Sequence, residues 1–154
     1  MEDKEFNILY IDDEVHNLTG FKANFRKYYQ VFTAESAEEG RKILKDKKIH
    51  VIISDQRMPA MSGLEFLASI LKEYPDPIRI LLTGYADTET VIEAINKGQV
   101  YKYIMKPFNA AELKVTIDNA FEVYFLRQQN KELMAQLLLI NEQLEFMLRQ
   151  RLLS

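Results

Sequence analysis

Cysteine is missing from this 154-residue chain, which excludes a disulfide scaffold and any zinc site that depends on thiolates. Histidine is almost as scarce, with only His16 and His50, and neither sits where a catalytic base would be expected below. No stretch approaches the ~18 consecutive apolar residues of a membrane span, and the first residues lead straight into a short apolar run without a long hydrophobic secretion segment. There is no basic excess either: the formal net charge is −3, which gives no electrostatic footprint for nucleic acid. Together these absences lead us to expect a soluble cytoplasmic protein, with neither membrane nor nucleic acid as a partner. A hydrophobic fraction of 47% is enough for one globular core.

What is present is an alternation. Short apolar runs at 6–11, 30–34, 50–54, 78–83 and 102–105 read as strands. Segments 17–29, 37–47, 63–74 and 88–97 repeat their apolar residues three and four apart, as helices do. Runs such as Ile8-Leu9-Tyr10-Ile11 and Val51-Ile52-Ile53 suit strands covered on both faces, the condition of a parallel sheet. Strands alternating with helices of this length predict βαβ units, hence an α/β fold with a doubly wound, five-stranded parallel sheet. Such sheets place their sites beyond the carboxyl ends of their strands.

Acidic residues gather at those ends. The first strand runs into Asp12-Asp13-Glu14, the third into Asp55, the fourth into Thr83 and the fifth into Lys106-Pro107. Three carboxylates on one rim repel one another unless a cation neutralises them. Mg²⁺ tolerates a partly hydrated site of few carboxylates. An ammonium from Lys106 and a hydroxyl from Thr83 complete a set suited to phosphoryl transfer, with Asp55 as nucleophile. Each element has a plain structural reading when taken singly: acidic βα turns are common, and Thr83-Gly84 is an ordinary turn. Their joint placement carries the argument. His16 and His50 are expected at the surface, and Tyr74-Pro75-Asp76-Pro77 is expected to be a loop.

The pattern of Asp12-Asp13, Asp55, Met58-Pro59, Met61-Ser62-Gly63, Thr83-Gly84 and Lys106-Pro107-Phe108 resembles the receiver domain of two-component response regulators, across roughly residues 5 to 122. The resemblance implies the flavodoxin-like strand order 2-1-3-4-5 known from chemotaxis members of the family. It also implies a phosphoacceptor at Asp55, charged by a sensor histidine kinase or phosphotransfer protein, and a switch rather than a turnover enzyme. Mg²⁺ would be held by Asp13, Asp55 and the backbone carbonyl of Arg57, with Asp12 acting mainly through water. Thr83 and Lys106 would contact the phosphoryl oxygens, Thr83 and Tyr103 would form the conformational switch, and the Lys106–Pro107 bond would be cis. Arg57 and Tyr85 are bulky where the family controls water access, which points to slow loss of the phosphoryl group. Two competing readings are a phosphate-independent dimerisation module with a vestigial acidic site and a small flavodoxin-like ligand binder.

After Gly98 there is no glycine, and after Pro107 no proline. Asn109 can cap a helix that begins at Ala110, with Glu112 at its third position, and no stop signal follows. A continuous helix of ~40 residues would be ~60 Å long. With Val123, Asn130, Leu137 and Leu144 at heptad position a, position d holds Leu126, Leu133, Ile140 and Met147. That is a coiled-coil seam whose lone Asn favours two parallel strands. Leu138, Leu139, Phe146 and Leu148 lie off the seam. We therefore expect a receiver at 1–122 and a helical dimerisation segment at 123–154, forming a homodimer that controls an output domain or partner.

Overall fold

The computed structural model describes residues 5–84 and 88–153. Five parallel strands form one sheet in the order β2-β1-β3-β4-β5: β1 (Asn7–Ile11), β2 (Gln30–Ala34), β3 (Val51–Asp55), β4 (Ile78–Thr83) and β5 (Lys102–Met105). The helices between them are α1 (Val15–Phe25), α2 (Ala37–Asp46), α3 (Gly63–Ser69) and α4 (Thr88–Asn96), and α5 (Ala110–Leu153) follows β5. The doubly wound fold and its strand order are those expected.

Alternation along each strand separates two cores, because successive side chains leave opposite faces. Ile8, Tyr10, Val51, Ile53, Ile80 and Leu82 meet Leu18, Phe21 and Phe25 of α1 and Leu113, Ile117 and Phe121 of α5. On the other face Leu9, Ile11, Ile52 and Leu81 meet Leu44 of α2, Phe66 and Leu67 of α3, and Val91 and Ala94 of α4. The buried residues of α1 recur at helical spacing, and the Tyr10 ring stacks on Phe21 at 4.2 Å between centroids.

Two helices are shorter than their apolar periodicity predicts. α1 starts at Val15 and ends at Phe25, whose carbonyl accepts from both Tyr28 and Tyr29 in a closing turn. α3 stops at Ser69, where the Ser69 hydroxyl donates back to the Phe66 carbonyl at 2.7 Å, a local bond that competes with the helix ladder. Pro75 then disfavours helix for the residue before it.

The amino end of the sheet corrects the expectation for His50. It is buried, 3% exposed, because Tyr124 and Phe125 of α5 close over it, with the Tyr124 ring edge-on at 4.8 Å. Its Nδ1 accepts from the Asn7 backbone N–H at 3.1 Å, so the ring is neutral there, with its proton on Nε2. Burial lowers its pKa, Lys48 adds to that, and Glu5 opposes it. His16 is exposed, as expected. Near the start of β4, next to β3, Arg79 is 7% exposed and donates to the carbonyls of Gln99 (2.8 Å), Pro77 (3.0 Å), Gly98 (3.3 Å) and Pro75 (3.5 Å). Gly98 supplies its carbonyl from a left-handed turn, φ 76°, a conformation glycine adopts without steric cost.

α5 begins as expected: the Asn109 side chain accepts from Ala111 at 2.8 Å and Glu112 at 3.3 Å. The helix lies on the sheet's core as far as Tyr124, which is buried, while Val123 and Phe125 are partly buried against that core. Lys131 pairs with Asp76 in the loop before β4. From residue 129 to 153 every position is exposed, including Leu133, Leu137, Ile140, Leu144 and Met147 of the expected seam and Leu138, Leu139, Phe146 and Leu148 off it.

Candidate phosphoacceptor site

Asp12 follows β1, Asp55 closes β3, Thr83 closes β4 and Lys106 follows β5. Parallel neighbours in register bring all of these to one rim. Asp12, Asp13 and Asp55 each offer a carboxylate oxygen within 4.8 Å of the others, and Lys106 Nζ forms an ion pair with Asp55 Oδ1. Asp12 and Asp55 are buried, and Asp13 is exposed. Burial raises the Asp55 pKa, the Lys106 hydrogen bond and charge pull it back, and Asp12 and Asp13 raise it again. The net direction is upward, so the ammonium alone does not make this carboxylate comfortable as an anion. A hard divalent cation with oxygen ligands suits such a donor set.

Asp12 is already committed to protein donors. Its Oδ1 accepts from the Glu14 backbone N–H at 3.0 Å, and its Oδ2 accepts from Tyr10 Oη at 2.8 Å and Asn17 Nδ2 at 3.0 Å. Tyr10 and Asn17 are the residues that sequence reasoning missed. The signal existed for Tyr10, since a residue two before Asp12 along a strand points to the same side. Burial, and then Asp12, push the Tyr10 phenol well above its ordinary pKa, so it stays a proton donor to Asp12.

The loop beyond Asp55 is pinned closely. Gly63 N–H donates to the Gln56 carbonyl at 3.0 Å, and Leu64 N–H donates to Gln56 Oε1 at 2.9 Å. A Cβ at Gly63 would lie 2.2 Å from the Asp55 carbonyl oxygen, so no larger residue fits that turn. Ser62 then caps α3 in a capping box with Glu65. This places Arg57 in a loop beside the rim with its side chain exposed.

Thr83 is buried at the adjacent strand end, and its hydroxyl donates to the Gly84 carbonyl at 3.2 Å. Tyr103 pairs with Leu81 across β4 and β5 and is partly buried against the core under α4. The Lys106–Pro107 bond is cis, as expected. Tyr85, the other bulky position, lies outside the described residues. Among the described residues no helix is long and apolar enough to cross a membrane.

Comparison with known proteins agrees with this architecture. Residues 8–118 match the response regulator receiver domain family. The chain is 35% identical over 127 residues to the hydrogenase transcriptional regulatory protein HoxA of Cupriavidus necator, covering 82% of this chain and 26% of that protein. It is 33% identical to the transcriptional regulatory protein GlrR of Escherichia coli, over 79% of this chain and 28% of that one. The chain thus spans about a quarter of the length of these curated relatives. Among solved structures, a response regulator receiver domain protein from Clostridium thermocellum superposes with a TM-score of 0.74 at 35% identity, covering 79% of this chain and 98% of that one. A Rhodopirellula baltica structure described as an adenylate cyclase gives 0.83 at 32% identity, covering 86% and 98%. A match across most of the chain, relatives above 30% identity and the shared fold have one consequence: this chain belongs to the response regulator receiver domain family.

Proposed function

We propose that this chain is a phosphorylation switch in which Asp55 accepts a phosphoryl group from a histidine kinase or phosphotransfer protein. The observation that carries the reading is the convergence of Asp12, Asp13, Asp55 and Lys106 at one rim. Mg²⁺ would be held by Asp13, Asp55 and the Arg57 backbone carbonyl, with Asp12, fixed by Tyr10 and Asn17, acting through water. Bound there, the ion supplies positive charge against the carboxylates and the incoming phosphoryl oxygens.

In the transfer, an Asp55 carboxylate oxygen bonds to phosphorus as the phosphorus–nitrogen bond of the donor imidazole breaks, the electron pair leaving with nitrogen. Lys106 exchanges the Asp55 carboxylate for a phosphoryl oxygen. Thr83 gives up the Gly84 carbonyl to donate to another, and Tyr103 turns inward beside it. Water attack on the acyl phosphate later resets the site, with Arg57 and Tyr85 restricting its approach. The protein acts as a cytoplasmic switch, and turnover of a diffusible substrate is not its role. The segment 123–154 pairs as a coiled-coil homodimer, and because α5 is one helix, rotation at its receiver end reaches the seam and, through it, an output domain or partner.

The test adds Mg²⁺ and beryllofluoride, an acyl-phosphate mimic, to wild type and Asp55→Asn, reading binding by fluorine NMR and mass by light scattering. Wild type is expected to bind the mimic and Asp55→Asn is not. Failure of both to bind would favour the phosphate-independent dimerisation module.

A further inference from the structure

The buried face and the exposed seam of α5 are set against each other around the helix. Leu113, Ile117, Ala120 and Tyr124 face the receiver. At 3.6 residues a turn, Leu126, Leu133 and Leu137 fall roughly 200° away. From Leu126 onward a second helix on that seam therefore meets α5 on the side away from its own receiver, while Val123, which opens the seam, is partly buried against that receiver. Two paired copies carry their receivers on the outer flanks, with neither domain standing between the helices.

Charge at the start of the seam selects among the ways of pairing. With Val123 at heptad position a, Glu122 occupies the preceding g and Arg127 the following e. In parallel, in-register helices a g residue faces the next e residue of the other chain. Glu122 and Arg127 are both exposed. Glu122 stands on the rim of a groove of about 800 Å³ that also carries Asp118 and Glu132 around Phe6, Phe125 and Leu126, an acidic border beside the seam. Arg127 faces a like charge, lowering the pKa of the buried Arg79 after burial itself, and among the described residues no carboxylate pairs with it. Each copy thus offers an acidic edge on one flank and an unanswered guanidinium on the other.

We infer that two copies of this chain pair through α5 in parallel and in register, with Glu122 of each copy bound to Arg127 of the other where the helix leaves the receiver. The inference rests on the homodimer reading above and adds its orientation, its register and the residues that set both. Sliding one helix by a heptad puts Asn130 against Leu137 and removes the ion pairs. Antiparallel pairing of the whole seam, Val123 against Met147, centres at Ala135 and carries Glu122 away from Arg127 of the other copy. Downstream g positions are Gln129, Gln136, Gln143 and Gln150, so the charge selection is confined to this collar.

The experiment uses the full chain, whose lack of cysteine makes engineered thiols unambiguous. Sedimentation equilibrium compares wild type with Glu122→Arg, Arg127→Glu and the double exchange. Each single reversal is expected to weaken dimerisation about tenfold, from two surface pairs lost and replaced by repulsion, and the double exchange to restore it. Oxidation of the Leu126→Cys variant is expected to join two like chains through their introduced thiols. Antiparallel pairing of the seam would instead cross-link only a mixture of Leu126→Cys with Leu144→Cys. A dimeric wild type with that antiparallel pattern, or with reversals that have no effect, overturns the inference and leaves the dimer reading standing. A monomeric wild type overturns both.

Discussion

At the amino end of the sheet Arg79 is 7% exposed and its guanidinium ends on backbone carbonyls, while at the carboxyl end Asp55 is 6% exposed beside two more carboxylates. Both are buried charges on the same sheet. The first is satisfied by its own chain and ties the loop before β4 to the turn after α4. The second lies beside more negative charge than Lys106 can answer, and burial first, with Asp12 and Asp13 after it, raises its pKa. A buried ion whose hydrogen bonds are complete fixes structure, whereas a crowd of like ions is left for a ligand to complete.

The largest effect should come from breaking the satisfied end. Arg79→Met removes the donors from the Gln99, Pro77 and Gly98 carbonyls and should cost about 3 kcal/mol in urea unfolding. A loss below about 0.5 kcal/mol, the scale of an ordinary surface change, would erase the contrast between the two ends.

The crowded end should respond in the opposite direction. Without Mg²⁺ at neutral pH, Asp55→Asn should stabilise the fold by about 1 kcal/mol while abolishing phosphoryl acceptance, the usual cost of function to stability. A carboxyl whose pKa is raised on folding penalises the fold above that folded value, and the penalty disappears as pH falls below its ordinary 3.8. The advantage of Asp55→Asn should therefore shrink toward acid pH. An advantage that grew on acidification would mean that Lys106 outweighs burial.

The smallest effect sharpens the amino end further. The His50 pKa is lowered on folding, so the unfolded chain takes up the proton first. Its contribution is present above the ordinary value of 6.5 and is lost as pH falls through it toward the folded value. Urea midpoints measured downward from pH 7.5 should fall more steeply for wild type than for His50→Gln. Parallel curves would place the acid sensitivity elsewhere.

This contrast also explains what is legible in the sequence. The strands and their two-sided burial follow from runs such as Val51-Ile52-Ile53, whose meaning is local. The acidic rim is equally legible, because parallel strands must bring Asp12, Asp13, Asp55 and Lys106 to the same edge once they are strands at all. His50 is not, because its burial depends on Tyr124 and Phe125, which reach it only through the path of α5. Arg79 is silent for a similar reason: its partners are carbonyls of loops whose conformation no side-chain pattern encodes. The ends of α1 and α3 are misread where a turn or the Ser69 hydroxyl interrupts a periodicity that continues in the sequence.

One feature of α5 also has mechanical weight. From Asn109 to Leu153 it contains neither glycine nor proline, and its helical run is unbroken past the receiver's last buried residue, Tyr124. About 43 Å of helix extends from there at 1.5 Å a residue. If it moves as a rigid lever arm, a tilt of about 5° at its fulcrum carries the far tip by about 4 Å over that length. Displacements too small to notice among Tyr124, His50 and Asp76 thus become atomic-scale movements at Leu153.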